Sequence, residues 1–236
     1  MNELEKLQVI ASQFGYSSGI MQASIEYGFS ILKKNLVPGP VLELGPAEGV
    51  MTRLLYEISD DISVVEGSTQ FCERLKERYL TAKIYNSMFE DFEPKQKFSN
   101  IVLSHVLEHV ADPVSLLQKI KSWMMPHGIV FAAVPNAHSI HRQAAVLMGL
   151  LKTENQLNAS DINHGHRRVF NPEEFKKIFK DANFSVDKFG GYWLKPLSNN
   201  QIEANWSQEM INAYMELGER FPNIAGEIYL IASCDH

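Results

Sequence analysis

Apolar residues recur in seven short β-rich runs, at 41–45, 62–66, 82–85, 100–104, 129–134, 184–189 and 227–232, and each predicts a strand. Helical spacing at 50–58, 69–79 and 113–123 separates most of the first five, and that alternation predicts βαβ units and a parallel sheet. The expected class is α/β, a doubly wound, seven-stranded, mostly parallel sheet with helical insertions. A helical region runs to about residue 35 and reads as a cap, 1–36. Two longer connections read as insertions, 136–169 and 196–222. The first passes from Pro135-Asn136-Ala137-His138-Ser139 into a helix at 144–151 and a polar loop at 152–166; Asn171 and Pro172 then start the next helix. The second carries Trp206, Ile211, Tyr214 and Leu217 at helical spacing. With no repeat or linker, residues 1–236 read as one domain.

Composition narrows the function. Apolar residues at 45% and charged residues at 21% fit a soluble globular chain. A net charge of -6 supplies no general attraction to phosphate backbones, so no duplex nucleic-acid partner is expected. Cys72 and Cys234 have no metal spacing and suit a reducing, cytoplasmic setting. The N-terminal residues mix charges into a helical pattern, with no export signal or membrane span. Oligomeric state does not follow from the sequence.

The stretch VLELGPAEG, from Val41, is nearly a nucleotide-binding loop. Gly45 suits a sharp turn and Gly49 a close helix approach. Glu43 and Glu48 oppose a diphosphate at this helix start, and a cationic ligand suits Glu43 better. Glu66 and Gly67 end the second strand about 20 residues beyond Gly45, the spacing at which a carboxylate meets ribose hydroxyls.

These motifs resemble those of the class I S-adenosylmethionine-dependent methyltransferases, which share a Rossmann-like fold. VLELGPAEG resembles their first motif, VVEGS their second and NIVLSHVLEHVADP their fourth, over roughly 37–190. The VLEHV segment is similar to the small-molecule branch that includes quinone-pathway O-methyltransferases. Ala47 stands where the family usually has a glycine. The resemblance implies S-adenosylmethionine as cofactor and S-adenosylhomocysteine as product. It places Glu43 near the methionine amino group; Gly45, Ala47 and Gly49 around methionine and ribose; and Glu66 on the ribose hydroxyls. Ser87, Met88 and Phe89 would form the adenine turn, although Met88 and Phe89 equally suit core packing. Ser104 and His105 would lie beside the sulfonium, and Tyr16 would close over the methionine end.

Methyl transfer needs alignment and, for a protonated acceptor, a base. Histidine titrates in the right range, which makes His105 and His166 the catalytic candidates. His109 reads as a structural hydrogen-bonder. His138, Arg142, His164 and Arg167, with the aromatic Tyr192, are the acceptor-binding candidates. Their cluster reads either as a cationic site for a carboxylate, phenolate or phosphate, or as a solvated charge run. His-x-His at 164–166 has no third identified ligand, so no metal is expected. The leading expectation is O-methylation of an anionic small metabolite or peptide carboxylate. N-methylation, an NAD-dependent oxidoreductase and a noncatalytic cofactor-binding partner are the alternatives.

Overall fold

The computed structural model describes residues 17–234. Its strands are β1 (Val41–Leu44), β2 (Ile62–Glu66), β3 (Lys83–Asn86), β4 (Phe98–Ser104), β5 (Met124–Pro135), β6 (Ser185–Tyr192) and β7 (Glu227–Ser233). They form one seven-stranded sheet in the order β3-β2-β1-β4-β5-β7-β6. The first five pair in parallel, whereas β7 runs antiparallel between β5 and β6. The helices are α1 (Gly19–Lys33), α2 (Val50–Tyr56), α3 (Thr69–Arg78), α4 (Pro113–Trp123), α5 (Ile140–Leu147), α6 (Ala159–Asn163), α7 (Pro172–Asp181), α8 (Asn199–Glu203) and α9 (Gln208–Arg220).

β1 and β2 are buried along their whole length, so both faces of the sheet need cover. On one face α4 and α7 bury Leu117, Ile120, Phe175 and Phe179; on the other, α1, α2 and α9 bury Leu32, Leu55 and Met215. Helix starts follow local chemistry. Asp112 accepts from Ser115 N at 3.0 Å ahead of Pro113, and Asn171 forms a capping box with Glu174 ahead of Pro172.

Several boundaries differ from those the sequence predicts. β5 begins at Met124 rather than 129, because Pro126 and Gly128 interrupt its apolar run. β6 continues through Gly190 and Gly191 to Tyr192. A Cβ at Gly190 would lie 2.5 Å from the Tyr229 ring, so these glycines admit neighbours and do not stop the strand. α5 starts at Ile140, and the expected polar loop contains α6, capped reciprocally by Asn158 and Asp161.

The antiparallel direction of β7 places its first residue, Glu227, beside Pro135 at the end of β5 and Tyr192 at the end of β6. The start of β7 and the end of β6 therefore both reach the carboxyl edge of the parallel strands, where ligands bind in open α/β sheets.

Gly49 caps α2 with φ 84°, and a Cβ there would lie 2.6 Å from Leu75 Cδ2. Gly49→Ala is expected to lower unfolding free energy by about 1–3 kcal/mol, measured by denaturant titration.

Candidate active site

A cavity of about 920 Å³ opens along that carboxyl edge. One end is built by the turns after β1, β2 and β3. Gly45 adopts φ 65° and Ala47 φ 49°, a left-handed conformation that the expected glycine would adopt without strain. A Cβ at Gly45 would meet Val106 Cγ2 at 3.1 Å and Phe89 Cζ at 3.3 Å, so the backbone lies close beneath the cavity. Glu66 is buried. Its Oε1 accepts from Ser68 N at 2.7 Å and its Oε2 from Ala47 N at 3.2 Å. Burial pushes its pKa up, against the pull of those N–H groups. Each carboxylate oxygen retains a further lone pair for a ligand hydroxyl. Ser87 N donates to Glu66 O at 3.0 Å and so ties the turn carrying Met88 and Phe89 to the end of β2.

Glu43 is buried, with Thr52 Oγ1 donating to its Oε2 at 2.7 Å. Burial, with a smaller contribution from the Glu66 charge, pushes its pKa up to about 8 despite that hydrogen bond. A cationic ligand would favour its ionised form. A carboxyl for an ammonium, a carboxylate for ribose hydroxyls and a close-approach backbone between them fit the donor that the sequence motifs imply.

The other end of the cavity holds ionisable groups from β4 and the two insertions. His105, just beyond β4, adopts φ 56° with its N–H bonded to Ala133 O. Its Nδ1 lies 3.4 Å from Glu108 Oε1 and its Nε2 3.8 Å from Glu227 Oε2. Burial opposes its charge, but Glu227 and Glu108 outweigh burial and raise its pKa to about 9. The two carboxylates thus favour its protonated form, whereas the sequence reading gives it the role of a base. Burial also opposes the charge of Glu108; His105, His109 and His166 hold it down to about 2. Burial drives His109 down to about 4 and His141 to about 3. His166 Nδ1 faces Asp161 Oδ1 at 3.6 Å, and its ring packs edge-on against His109. Candidate ligand atoms of Glu108, His109 and His166 lie within 4.8 Å of one another, so His166 has neighbours that the His-x-His spacing did not reveal.

The expected acceptor-binding residues divide. His164, Arg142 and Arg167 line the cavity. Arg142 donates Nε to Glu154 O at 2.8 Å, Nη1 to Asp161 Oδ2 at 3.0 Å and Nη2 to Gln156 O, so it braces the insertion. Arg167 donates Nε to His109 O at 2.9 Å. His138 and Tyr192 lie off the cavity wall: His138 faces Glu154 at 3.6 Å, and Tyr192 is fully buried and stacked on Tyr27. Gly49 serves α2 packing and also lies off the wall. Tyr16 falls outside the described residues. Lys195, Glu227 and Asp161 line the cavity, although no sequence motif points to them.

A methyltransferase-domain family model matches residues 20–188. The chain belongs to that family, as a class I S-adenosylmethionine-dependent methyltransferase. Among its relatives, the ubiquinone biosynthesis O-methyltransferase of Actinobacillus pleuropneumoniae serotype 7 (strain AP76) is 24% identical over 181 residues, covering 70% of this chain and 76% of the relative. That of Rickettsia prowazekii (strain Madrid E) is 24% identical over 229 residues, covering 86% and 87%. The CcbJ methyltransferase of Streptomyces caelestis superposes with a TM-score of 0.64 at 13% identity, over 94% of this chain and 100% of its own. A possible histamine N-methyltransferase of Thermotoga maritima gives 0.63 at 14%, over 99% and 95%. These last two likenesses show the fold. The methyltransferase thus uses S-adenosylmethionine, and the oxidoreductase alternative falls away.

Two measurements test the site. Glu66→Ala is expected to weaken S-adenosylhomocysteine binding at least about tenfold by calorimetry, through loss of charge-assisted hydrogen bonds. His105 has a folded pKa above its ordinary 6.5, so its contribution to stability is full below about 6.5 and fades as pH rises through about 9. An imidazole NMR titration of His105 should show a midpoint near 9.

Proposed function

We propose that this methyltransferase transfers its methyl group to an oxygen of an anionic acceptor, a small metabolite or a peptide carboxylate. The observation that carries the reading is the place of His105 on the cavity wall beside the end of β4, between Glu108 and Glu227, whose charges favour its protonated form. The relatives named as ubiquinone biosynthesis O-methyltransferases support transfer to oxygen.

S-adenosylmethionine, when bound, supplies a methyl group already activated by its positive sulfur. The task of the chain is to align the acceptor and handle its proton. Glu43, Gly45, Ala47, Glu66, Gly67 and the 87–89 turn hold the donor, with Ser104 beside the reacting end. His166, whose Nδ1 faces Asp161, takes the acceptor proton, while His105 donates to the oxyanion that forms. Residues 136–169 and 196–222 shape the acceptor end, the first supplying Asp161 and His166, the second Glu203. Arg167 adds positive charge at its rim, with His164 beside it on the lining. Among the described residues no helix is long and apolar enough to cross a membrane, and both cysteines are buried and outside any disulfide. We read the setting as cytoplasmic and the acceptor as other than duplex nucleic acid.

The rival, N-methylation, is favoured by the carboxylates of Glu227 and Asp161 on the same wall, which suit an amine. Incubating the enzyme with labelled donor and host extract, then characterising the product by mass spectrometry, separates the two. An O-methylated acid or phenol is expected. An N-methylated product would sink the acceptor class, and donor binding without any product would support a noncatalytic partner role. Turnover is expected to persist with EDTA; loss restored by a divalent cation would assign a metal to Glu108, His109 and His166.

A further inference from the structure

Two charged side chains on the cavity wall neither hold the donor nor carry the acceptor proton. Glu227, the first residue of β7, is largely buried, and its Oε2 has no hydrogen-bond partner; the nearest cation is His105 Nε2 at 3.8 Å. Lys195, three residues beyond β6, is half-buried and forms no hydrogen bond or ion pair among the described residues. The two sit on adjoining backbones. Gly226 N donates to Trp193 O, and a Cβ at Gly226 would lie 3.1 Å from Lys195 Cβ. That placement is rigid, because Trp193 N and Leu194 N donate to Met215 O and Tyr214 O of α9 at 3.0 and 2.7 Å.

Enclosed charges without hydrogen-bond partners are costly; His105 at 3.8 Å relieves Glu227 only in part, and the carboxylates near Lys195 are already engaged. Asp161 is committed to Arg142, and Glu203 accepts from Ile20 N at 2.8 Å. Burial pushes the Lys195 ammonium down, against the pull of Glu227 and Asp161. It pushes the Glu227 carboxyl up, against His105 and Lys195. A ligand that presents a hydrogen-bond donor to the carboxylate and an anion to the ammonium would satisfy both.

We propose that Glu227 and Lys195 form a two-point recognition site for a hydroxy acid, Glu227 accepting from its hydroxyl and Lys195 pairing with its carboxylate. This rests on the reading of an anionic acceptor and narrows it to one chemical class. Both residues are specificity determinants, and Glu227 has in addition its place beside His105.

The test is calorimetry on the full chain saturated with S-adenosylhomocysteine, using 2-hydroxybenzoate as probe beside 2-methoxybenzoate and 2-hydroxybenzamide. The hydroxy acid is expected to bind at least about tenfold tighter than either analogue. Lys195→Met should erase its advantage over the amide and Lys195→Arg retain it, while Glu227→Met should erase its advantage over the ether. S-adenosylhomocysteine affinity should stay unchanged in all three, which also reports folding. Equal affinity of the three probes for the unaltered protein overturns the site whether or not a variant folds. So does a carboxylate preference that survives in Lys195→Met, or a loss of S-adenosylhomocysteine affinity in a folded Lys195→Met protein, which would give the lysine to the donor. An N-methylated product in the labelled-donor assay would instead overturn the anionic-acceptor reading itself.

Discussion

The carboxylate of Glu66 joins the backbone of two loops, and the donor end of the cavity depends on that junction. One oxygen holds Ser68 N on its own strand turn; the other holds Ala47 N across on the turn after β1. A buried carboxylate is unfavourable unless hydrogen bonds compensate it. These N–H groups provide that compensation and, in doing so, set the separation between the loops. The turn after β3 is attached to the same point through Ser87 N and Glu66 O. Three loops that are remote in the chain thus share one anchor, and the left-handed conformation of Ala47 is part of the cost of forming it.

The other end of the cavity is organised by compensation of a different kind. Glu108 is fully buried and is held ionised by imidazoles on either side, while His105 is held protonated between Glu108 and Glu227. The insertion above these groups is secured through backbone carbonyls. Arg142 binds those of Glu154 and Gln156; Arg167 and Arg168 bind those of His109, Val110 and Ala111. Arginine suits this task because several fixed donors can satisfy carbonyls that a loop leaves unpaired. The cationic cluster in the sequence is therefore largely internal bracing, and the cations turned to the cavity without a carbonyl partner, His105 and Lys195, follow β4 and β6.

Elements whose signals are local were legible from the chain. β1 and β2 stand out as apolar runs bounded by turns, Asn171-Pro172 marks the start of α7, and Glu66 lies at the ribose spacing from Gly45. The start of β5 was hidden by Pro126 and Gly128, and the end of β6 by Gly190 and Gly191, because those residues read as breaks unless their neighbours are known. His138 and Tyr192 share local sequence with site residues yet point elsewhere, since proximity along a chain does not specify which way a side chain faces.

By itself the sequence determined the α/β class, the tight turn after β1 and the acidic end of β2 beside it, because strand periodicity, turn chemistry and motif spacing act over a few residues or one βαβ unit. Only the tertiary structure decided the other end of the cavity. Glu227 reaches it because β7 enters antiparallel and brings its first residue to the edge where the parallel strands finish. Lys195 joins it because β6 ends at that same edge and α9 holds the following backbone in place. The protonation state of His105 likewise depends on two carboxylates, one of them more than 100 residues away in the chain. Strand direction and the electrostatics of buried groups are properties of the assembled sheet, and no window of sequence contains them.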